Sequence, residues 1–268
     1  MPKCISLLLS GGTGSRLGAD IPKQYIRTSG RMMITRSICA LFKCVQIKSV
    51  RIVADTAWHD QIRKDWQEFC REYTVCEGAD TPAPEHECEQ INCALKAKRP
   101  GNAKEFITGF SVPGSTRQLS ILNGLEDIAK EYDKDTVVLI HDAARPFVSA
   151  SMLENCIKAC DTHDGAMPVL PMKDTVYYSE DGASVTKLLE REKIFAGQAP
   201  EAFILGKYLD ANRALLPDRI LTIKGSTEPA VMAGMDIAMI PGEESNFKVT
   251  TPADLKRYEE IVNAGIAE

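Results

Sequence analysis

Four charged side chains stand where chemistry is possible: Arg16, Lys23, Asp142 and Lys248. Arg16 and Lys23 close the stretch Ser10-Gly11-Gly12-Thr13-Gly14-Ser15-Arg16-Leu17-Gly18, which follows the apolar run Leu7-Leu8-Leu9 and leads to Pro22-Lys23. A strand emptying into a glycine-rich turn brings backbone N–H groups against a phosphate chain, because glycine has no Cβ to hold the ligand away. Spacing excludes two familiar loops. Ser15 and Arg16 follow Gly14 where a P-loop needs lysine, and Leu17 stands where the dinucleotide fingerprint needs its third glycine. The remaining pattern, Gly-Gly-x-Gly-x-Arg-x-Gly-(x)4-Lys, suits a nucleoside triphosphate. Arg16 offers a planar fork and Lys23 a point charge to phosphate oxygens.

Asp142 and Arg145 follow the most convincing buried strand, Thr136-Val137-Val138-Leu139-Ile140. A carboxylate at a strand exit suits Mg2+ shared with substrate phosphates; the alternative is a turn cap paired with Arg145. A turn at Val112-Pro113-Gly114 opens a helix that puts Arg117 and Ser120 about one turn apart near its N-terminus, which favours anions. An ordinary cap with a solvated arginine is the other reading. No Ser/His/Asp arrangement or cysteine nucleophile is apparent. The set suits attack of a phosphate oxygen on the α-phosphorus of a nucleotide, with pyrophosphate leaving. A phosphate monoester is already anionic, so no general base is required.

The elements that must position these groups alternate. Apolar positions 33, 34, 38, 41 and 42 make a helical stripe; Val50–Ala54 reads as a strand; Trp58, Ile62, Trp66 and Phe69 mark a second helix. Strand–helix–strand order predicts a parallel sheet whose ligands bind beyond the carboxyl ends of the strands. Between Cys76 and Lys104 the pattern fades into a surface excursion or a degraded βα unit. Helical positions 119, 121, 122, 125 and 128 follow. Ala166–Leu170 reads as a strand, Asp174–Tyr178 with a turn at Glu180-Asp181-Gly182 as a hairpin leaving the parallel layer, and Arg219–Ile223 and Met235–Ile240 as further strands. Thr251 caps a last helix with Pro252 at its first position. With no repeat or linker, one domain over 1–268 with an arm around 171–200 is expected.

Composition fits a soluble globular protein of 268 residues with a net charge of −5, which argues against non-specific nucleic-acid binding. Without a run of eighteen apolar residues, and with Met1-Pro2-Lys3 leading straight into a strand, neither a membrane span nor a signal peptide is expected. A cytoplasmic protein is the expectation. The nine cysteines include no Cys-x-x-Cys and read as reduced packing residues; only His86 with Cys88 and Cys93 hints at metal.

The chain resembles the cytidylyltransferases that make 4-diphosphocytidyl-methylerythritol or CDP-ribitol. The resemblance runs through Ser10–Gly18 with Pro22-Lys23-Gln24-Tyr25, His141-Asp142-Ala143-Ala144-Arg145-Pro146-Phe147, Lys173-Asp174-Thr175, Gln198-Ala199-Pro200-Glu201-Ala202-Phe203 and Phe247–Leu255. It implies an α/β fold: a Rossmann-like three-layer sandwich with a mostly parallel sheet and a β-arm that clasps a second subunit in a homodimer. It implies CTP, a polyol phosphate and Mg2+ as ligands. Arg16, Lys23 and Lys248 would serve catalysis at the phosphates. Ser10, Gly11, Gly12, Thr13, Gly14, Ser15, Gly114, Arg117, Ser120 and Ala143 would hold the nucleotide. Asp142 would meet Mg2+ and substrate, and Arg145, Thr175, Arg191 and Thr227 the acceptor, Thr175 and Arg191 in the partner's site.

The acceptor half departs from the family pattern. Gln-Thr-Pro-Gln becomes Gln198-Ala199-Pro200-Glu201, and Thr-Asp-Glu becomes Thr227-Glu228-Pro229. Ala196-Gly197-Gln198 and Val249-Thr250-Thr251-Pro252 look more like the ribitol-phosphate branch, with methylerythritol phosphate close behind. Another sugar or polyol phosphate, or a catalytically silent nucleotide-binding relative, is the alternative.

Overall fold

The computed structural model describes residues 4–12, 21–75 and 103–265. Thr13, Gly14, Ser15 and Arg16 lie outside these residues, as do the 76–102 excursion and the His86, Cys88 and Cys93 group. The main elements are β1 (Cys4–Leu9), α1 (Met33–Lys43), β2 (Ile47–Val53), α2 (His59–Val75), β3 (Ile107–Ser111), α3 (Arg117–Ile128), β4 (Val137–Asp142), α4 (Ala150–Ala159), β5 (Gly165–Pro171), β6 (Phe195–Gly197), β7 (Glu201–Ile204), α5 (Leu205–Arg213), α6 (Glu228–Met232), β8 (Ile237–Pro241) and α7 (Pro252–Asn263). The eight strands form one sheet in the order β6-β5-β7-β4-β1-β2-β3, with β8 on the other edge of β5.

β3, β2, β1 and β4 are mutually parallel, which is why β1 and β4 read as nearly continuous apolar runs, broken by Ser6 and ended by His141-Asp142: both faces are covered. Side-chain alternation splits the core. Cys4 and Leu8 of β1 join the cluster under α1, α2 and α4, while Ile5 and Leu7 join the one under α3 and α5. Three layers result. The parallel expectation holds for the centre only, because β7 runs antiparallel between β4 and β5, and β6 antiparallel to β5.

The register places the chemistry. Leu9 pairs with Asp142, so β1 and β4 end together and deliver the turn at residue 10 and the Asp142 carboxylate to one edge of the sheet. β4 extends two residues beyond the predicted Ile140, carrying His141 and Asp142 on the strand itself.

The strand expected at Arg219–Ile223 is corrected. Arg219–Leu221 is a single 3-10 turn. Ile220 and Ile223 are buried and Leu221 is 48 % exposed, so the apolar spacing of three belongs to a helical turn. The hairpin does form, Tyr177 facing Leu188 and Tyr178 facing Lys187, with Gly182 at φ +75° in its turn. From Pro171 to Gly197 no residue is buried; this is a protruding arm.

Candidate functional site

The centre of the site is Asp142. Its Oδ1 accepts from Arg117 Nη2 at 3.0 Å, and its Oδ2 lies 2.9 Å from Lys248 Nζ and 3.8 Å from Arg145 Nε. Burial works to raise the Asp142 pKa, but the Arg117 and Lys248 charges outweigh it and hold the carboxyl well below the usual carboxylate range. Burial likewise opposes the charge on Arg117, and Asp142 more than offsets that. On Arg145 burial wins, and its pKa falls below the usual arginine value.

Each cation is delivered by a different element. Arg117 is the first residue of α3, after an N-cap in which Thr116 Oγ1 accepts from Leu119 N. A cation at a helix N-terminus opposes the macrodipole, so Arg117 needs an anion in front of it, which Asp142 supplies. Lys248 lies on the segment before α7. That segment is fastened to the exit of β4: Arg145 Nη1 donates to Asn246 O at 2.6 Å and Val249 N to Ala144 O at 2.9 Å, one bond on either side of Lys248. Thr251 and Asp254 then close α7 with a reciprocal capping box. His141 Nε2 lies 3.0 Å from Arg145 O and braces the turn from beneath; burial pushes its pKa down to about 4, so it is neutral at pH 7.

The turn after β1 approaches the turn before α3. Ser10 N donates to Val53 O, and the Ser10 side chain is buried, while Gly11 and Gly12 are exposed. A Cβ on Gly11 would lie 2.9 Å from Pro113 Cβ, and one on Gly114 2.4 Å from Leu119 Cβ, so neither position accepts a side chain without movement. Ser120 Oγ donates to Thr116 O at 2.9 Å and accepts from Gly114 N at 3.0 Å; it shapes the turn that presents Arg117. Ala143 is braced by its own backbone, N to Leu9 O at 3.0 Å and O from Ser37 Oγ at 2.9 Å. Lys23 opens a 3-10 turn, Lys23–Tyr25, within electrostatic reach of Asp254.

The sequence-predicted residues therefore divide. Asp142, Arg117, Arg145 and Lys248 form one cluster, and Ser10, Gly11, Gly12, Gly114, Ser120 and Ala143 build the turns at the same sheet edge. Thr175 and Arg191 stand exposed on the arm, where Arg191 Nη1 donates to Lys173 O at 3.1 Å. Thr227 precedes α6 and gives its hydroxyl to Glu201 Oε1 at 3.1 Å.

Sequence reasoning noted Glu201 only as a departure. It is buried on β7, bonded also by Ser226 Oγ, and within electrostatic reach of Arg117 and Asp142. Burial raises its pKa, opposed first by Arg117. The register of β7 signals its place: Glu201 faces Ile140, two residues before Asp142 and on the same side of β4. Among the described residues no group of three or more metal-ligating side chains exists. Asp142 alone still fits Mg2+, which takes one or two carboxylates and fills its shell with phosphate and water oxygens. Cys4, Cys44, Cys70, Cys156 and Cys160 are buried and Cys39 is partly so, as packing cysteines should be.

Residues 83–264 match the family described as 2-C-methyl-D-erythritol 4-phosphate cytidylyltransferase (IspD). The protein of that name from Nitrosomonas eutropha is 30 % identical over 268 residues, covering 98 % of this chain and 97 % of that one. A bifunctional enzyme IspD/IspF from Paramagnetospirillum magneticum is 30 % identical over 257 residues, 96 % of this chain but 56 % of that protein. The chain thus spans little more than half the length of its bifunctional relatives. The crystal structure of 4-diphosphocytidyl-2C-methyl-D-erythritol synthase from Anaerococcus prevotii shares the fold, with a TM-score of 0.71 at 19 % identity over 98 % of this chain and 96 % of that one.

The lean toward ribitol phosphate finds no support in these relatives. Two of the residues behind it are taken up within the fold: Gln198 exchanges hydrogen bonds with the Glu243 backbone, and Val249 is fully buried against α7. The chain belongs to the 2-C-methyl-D-erythritol 4-phosphate cytidylyltransferase family, a family of nucleotidyltransferases.

Proposed function

We propose that the chain transfers the cytidylyl group of CTP to 2-C-methyl-D-erythritol 4-phosphate. The observation that carries this reading is the Asp142 carboxylate held by Arg117, Lys248 and Arg145 where β1 and β4 end together. An acceptor phosphate oxygen attacks the α-phosphorus, the bond to the bridging oxygen of the β-phosphate breaks, and pyrophosphate leaves with that electron pair. The acceptor oxygen is already anionic, so the chain must supply position and positive charge. Arg117 and Lys248 are preorganised for charge that grows on the leaving group, and Arg16 and Lys23, which follow β1 in the sequence, would add to them.

Asp142 would hold Mg2+ with the triphosphate oxygens, and the ion would neutralise part of the charge passing to pyrophosphate. Arg145 holds the Lys248 segment in place and lies beside the acceptor. Thr227 and the arm residues Thr175 and Arg191 complete the acceptor side, the latter two across a homodimer. Six large apolar side chains exposed on the arm, Met172, Tyr177, Tyr178, Val185, Leu188 and Phe195, support that assembly.

Pyrophosphate release tests the reading, with each nucleoside triphosphate against methylerythritol 4-phosphate and ribitol 5-phosphate. Turnover is expected with CTP and methylerythritol 4-phosphate in the presence of Mg2+. Activity confined to UTP, or to ribitol 5-phosphate, overturns it.

A further inference from the structure

The turn that leaves β1 has its carbonyl groups held from behind. Gln24 is 3 % exposed, and its Nε2 donates to Ser10 O at 2.8 Å and to Gly12 O at 2.7 Å. A side-chain amide nitrogen has two N–H donors, and both are used. Tyr25 adds a second grip. Its hydroxyl donates to Ser10 O at 2.9 Å and accepts from Ser10 Oγ at 3.0 Å. Its ring stacks on Trp58, centroids 4.0 Å apart and planes 16° apart. Trp58 is itself tied by its backbone N–H to Asp55 O, and Asp55 caps that turn through Ala57 N.

These contacts dictate which way the turn faces. In a planar trans peptide the carbonyl and the following N–H point in opposite directions. With Ser10 O turned toward Gln24 and Tyr25, the N–H of Gly11 is aimed away from them, and Gly11 is exposed. Carbonyl oxygens carry partial negative charge and repel phosphate; a glycine-rich turn without restraint would rotate them freely. Ser10 O accepts two bonds, which uses both its lone pairs.

We propose that Gln24, supported by Tyr25, is a positioning residue for the nucleotide. It sequesters the Ser10 and Gly12 carbonyls and fixes the turn in the form that receives phosphate, so that binding carries less ordering cost. A glutamate of the same shape supplies no donor when ionised and sets a negative charge against two carbonyl oxygens. This inference rests on the reading of the site as a nucleotide site, and its test separates the two.

The full chain is compared with Gln24→Glu and Tyr25→Phe. CTP affinity is read by titration calorimetry, and the KM values for CTP and methylerythritol 4-phosphate from pyrophosphate release; circular dichroism confirms that each variant is folded. Gln24→Glu is expected to weaken CTP binding and raise its KM about tenfold, the scale of buried acceptors losing their donors. The acceptor KM should stay unchanged. The defect should shrink as pH falls from about 8 to about 6, as protonation of the introduced carboxyl restores one donor. Tyr25→Phe keeps the stacked ring and should raise the CTP constant about threefold.

An unchanged CTP constant in Gln24→Glu overturns the proposal, as does a parallel rise in both KM values or a defect indifferent to pH. If Gln24→Glu does not fold, Tyr25→Phe decides, and an unchanged CTP constant there overturns it. CTP binding by the parent without transfer sinks the transfer reading alone, leaving the ratio of CTP affinities to decide this one. Failure of the parent to bind CTP overturns both.

Discussion

Gly124→Ala sets two opposing effects against each other in the element that carries Arg117. Gly124 is in the middle of α3, where alanine gains about 1 kcal/mol in helix propensity. Against this, a Cβ at 124 would lie 2.4 Å from Leu7 Cδ1, 2.7 Å from Cδ2 and 3.1 Å from Cγ. Carbon atoms rest about 3.5–4.0 Å apart, so Leu7 must retreat by about 1 Å. It is fully buried on β1, packed in the same cluster as Ile5, Val53, Ile121 and Ile140, each of them fully buried. Both ends of its isobutyl group are met at once, so turning one methyl away brings the other forward. Overpacking of this kind costs about 1–3 kcal/mol, which exceeds the propensity gain at most of that range. A net destabilisation of about 1 kcal/mol is expected in urea unfolding. The displacement should also carry Arg117 away from Asp142 and raise the CTP KM. In a Leu7→Val background the terminal carbons are gone, and Gly124→Ala should become neutral or stabilising; that double-mutant cycle isolates the contact. If Gly124→Ala stabilises the parent sequence, Leu7 gives way freely and the argument is refuted.

Two further outcomes follow, one from burial and one from exposure. His141 has a folded pKa of about 4 against an ordinary 6.5, so between these values the unfolded chain holds the extra proton and stability is lost as pH falls. The loss should total about 3 kcal/mol across that window in metal-free buffer and be absent from His141→Gln, whereas Asp142, held below the usual carboxylate range, contributes until the pH drops below about 4; equal slopes for parent and variant would falsify the assignment. On the arm, Tyr177 and Leu188 face one another and are 58 % and 59 % exposed, so Leu188→Glu should convert a dimer to a monomer in sedimentation; a parent already monomeric at micromolar concentration removes the arm's proposed role.

The legible parts of the sequence were those where one local rule acts alone. β1 and β4 are nearly continuous apolar runs, α7 has a capping box with proline behind it, and the arm turn has its glycine at positive φ. The candidate-site residues Asp142, at the end of β4, and Lys248, just ahead of α7, were legible for the same reason. What escaped depends on partners distant in sequence. β7 is four residues long, begins with a glutamate and exists because β4 and β5 accept it between them. Arg219–Ile223 is apolar and β-branched enough to pass for a short strand, and only the cluster beneath α3 decides that Ile220 and Ile223 turn inward together. The role of Arg145 as a fastener for Lys248 needs Asn246, 101 residues away. Glu201 is the strongest case: its identity stood out, but its burial beneath Thr227 and its reach to Arg117 come from register, which local pattern does not encode.

The charges at Asp142 also order the events of binding. The Asp142 carboxylate faces three cations, so positive charge is in excess at this carboxylate before any ligand arrives, with Glu201 further off to temper it. At about 4 Å and an effective dielectric near 20, two unit charges interact by about 4 kcal/mol and a divalent ion with a unit charge by about 8 kcal/mol, so a bare divalent cation beside these cations meets repulsion while a triphosphate meets attraction. On the proposed reading, a magnesium ion already bound to CTP would enter as part of an anion, and Asp142 would be the residue to meet it while Arg117 and Lys248 serve the phosphates. Asp142 would thereby have two successive duties, holding the cations together without ligand and, on the proposed reading, meeting the metal with it. Loss of activity on removing its charge is expected from either duty. The two separate in the ligand-free protein, where only the first duty contributes to stability, because Asp142 there is the counter-ion that keeps Arg117 at the mouth of α3.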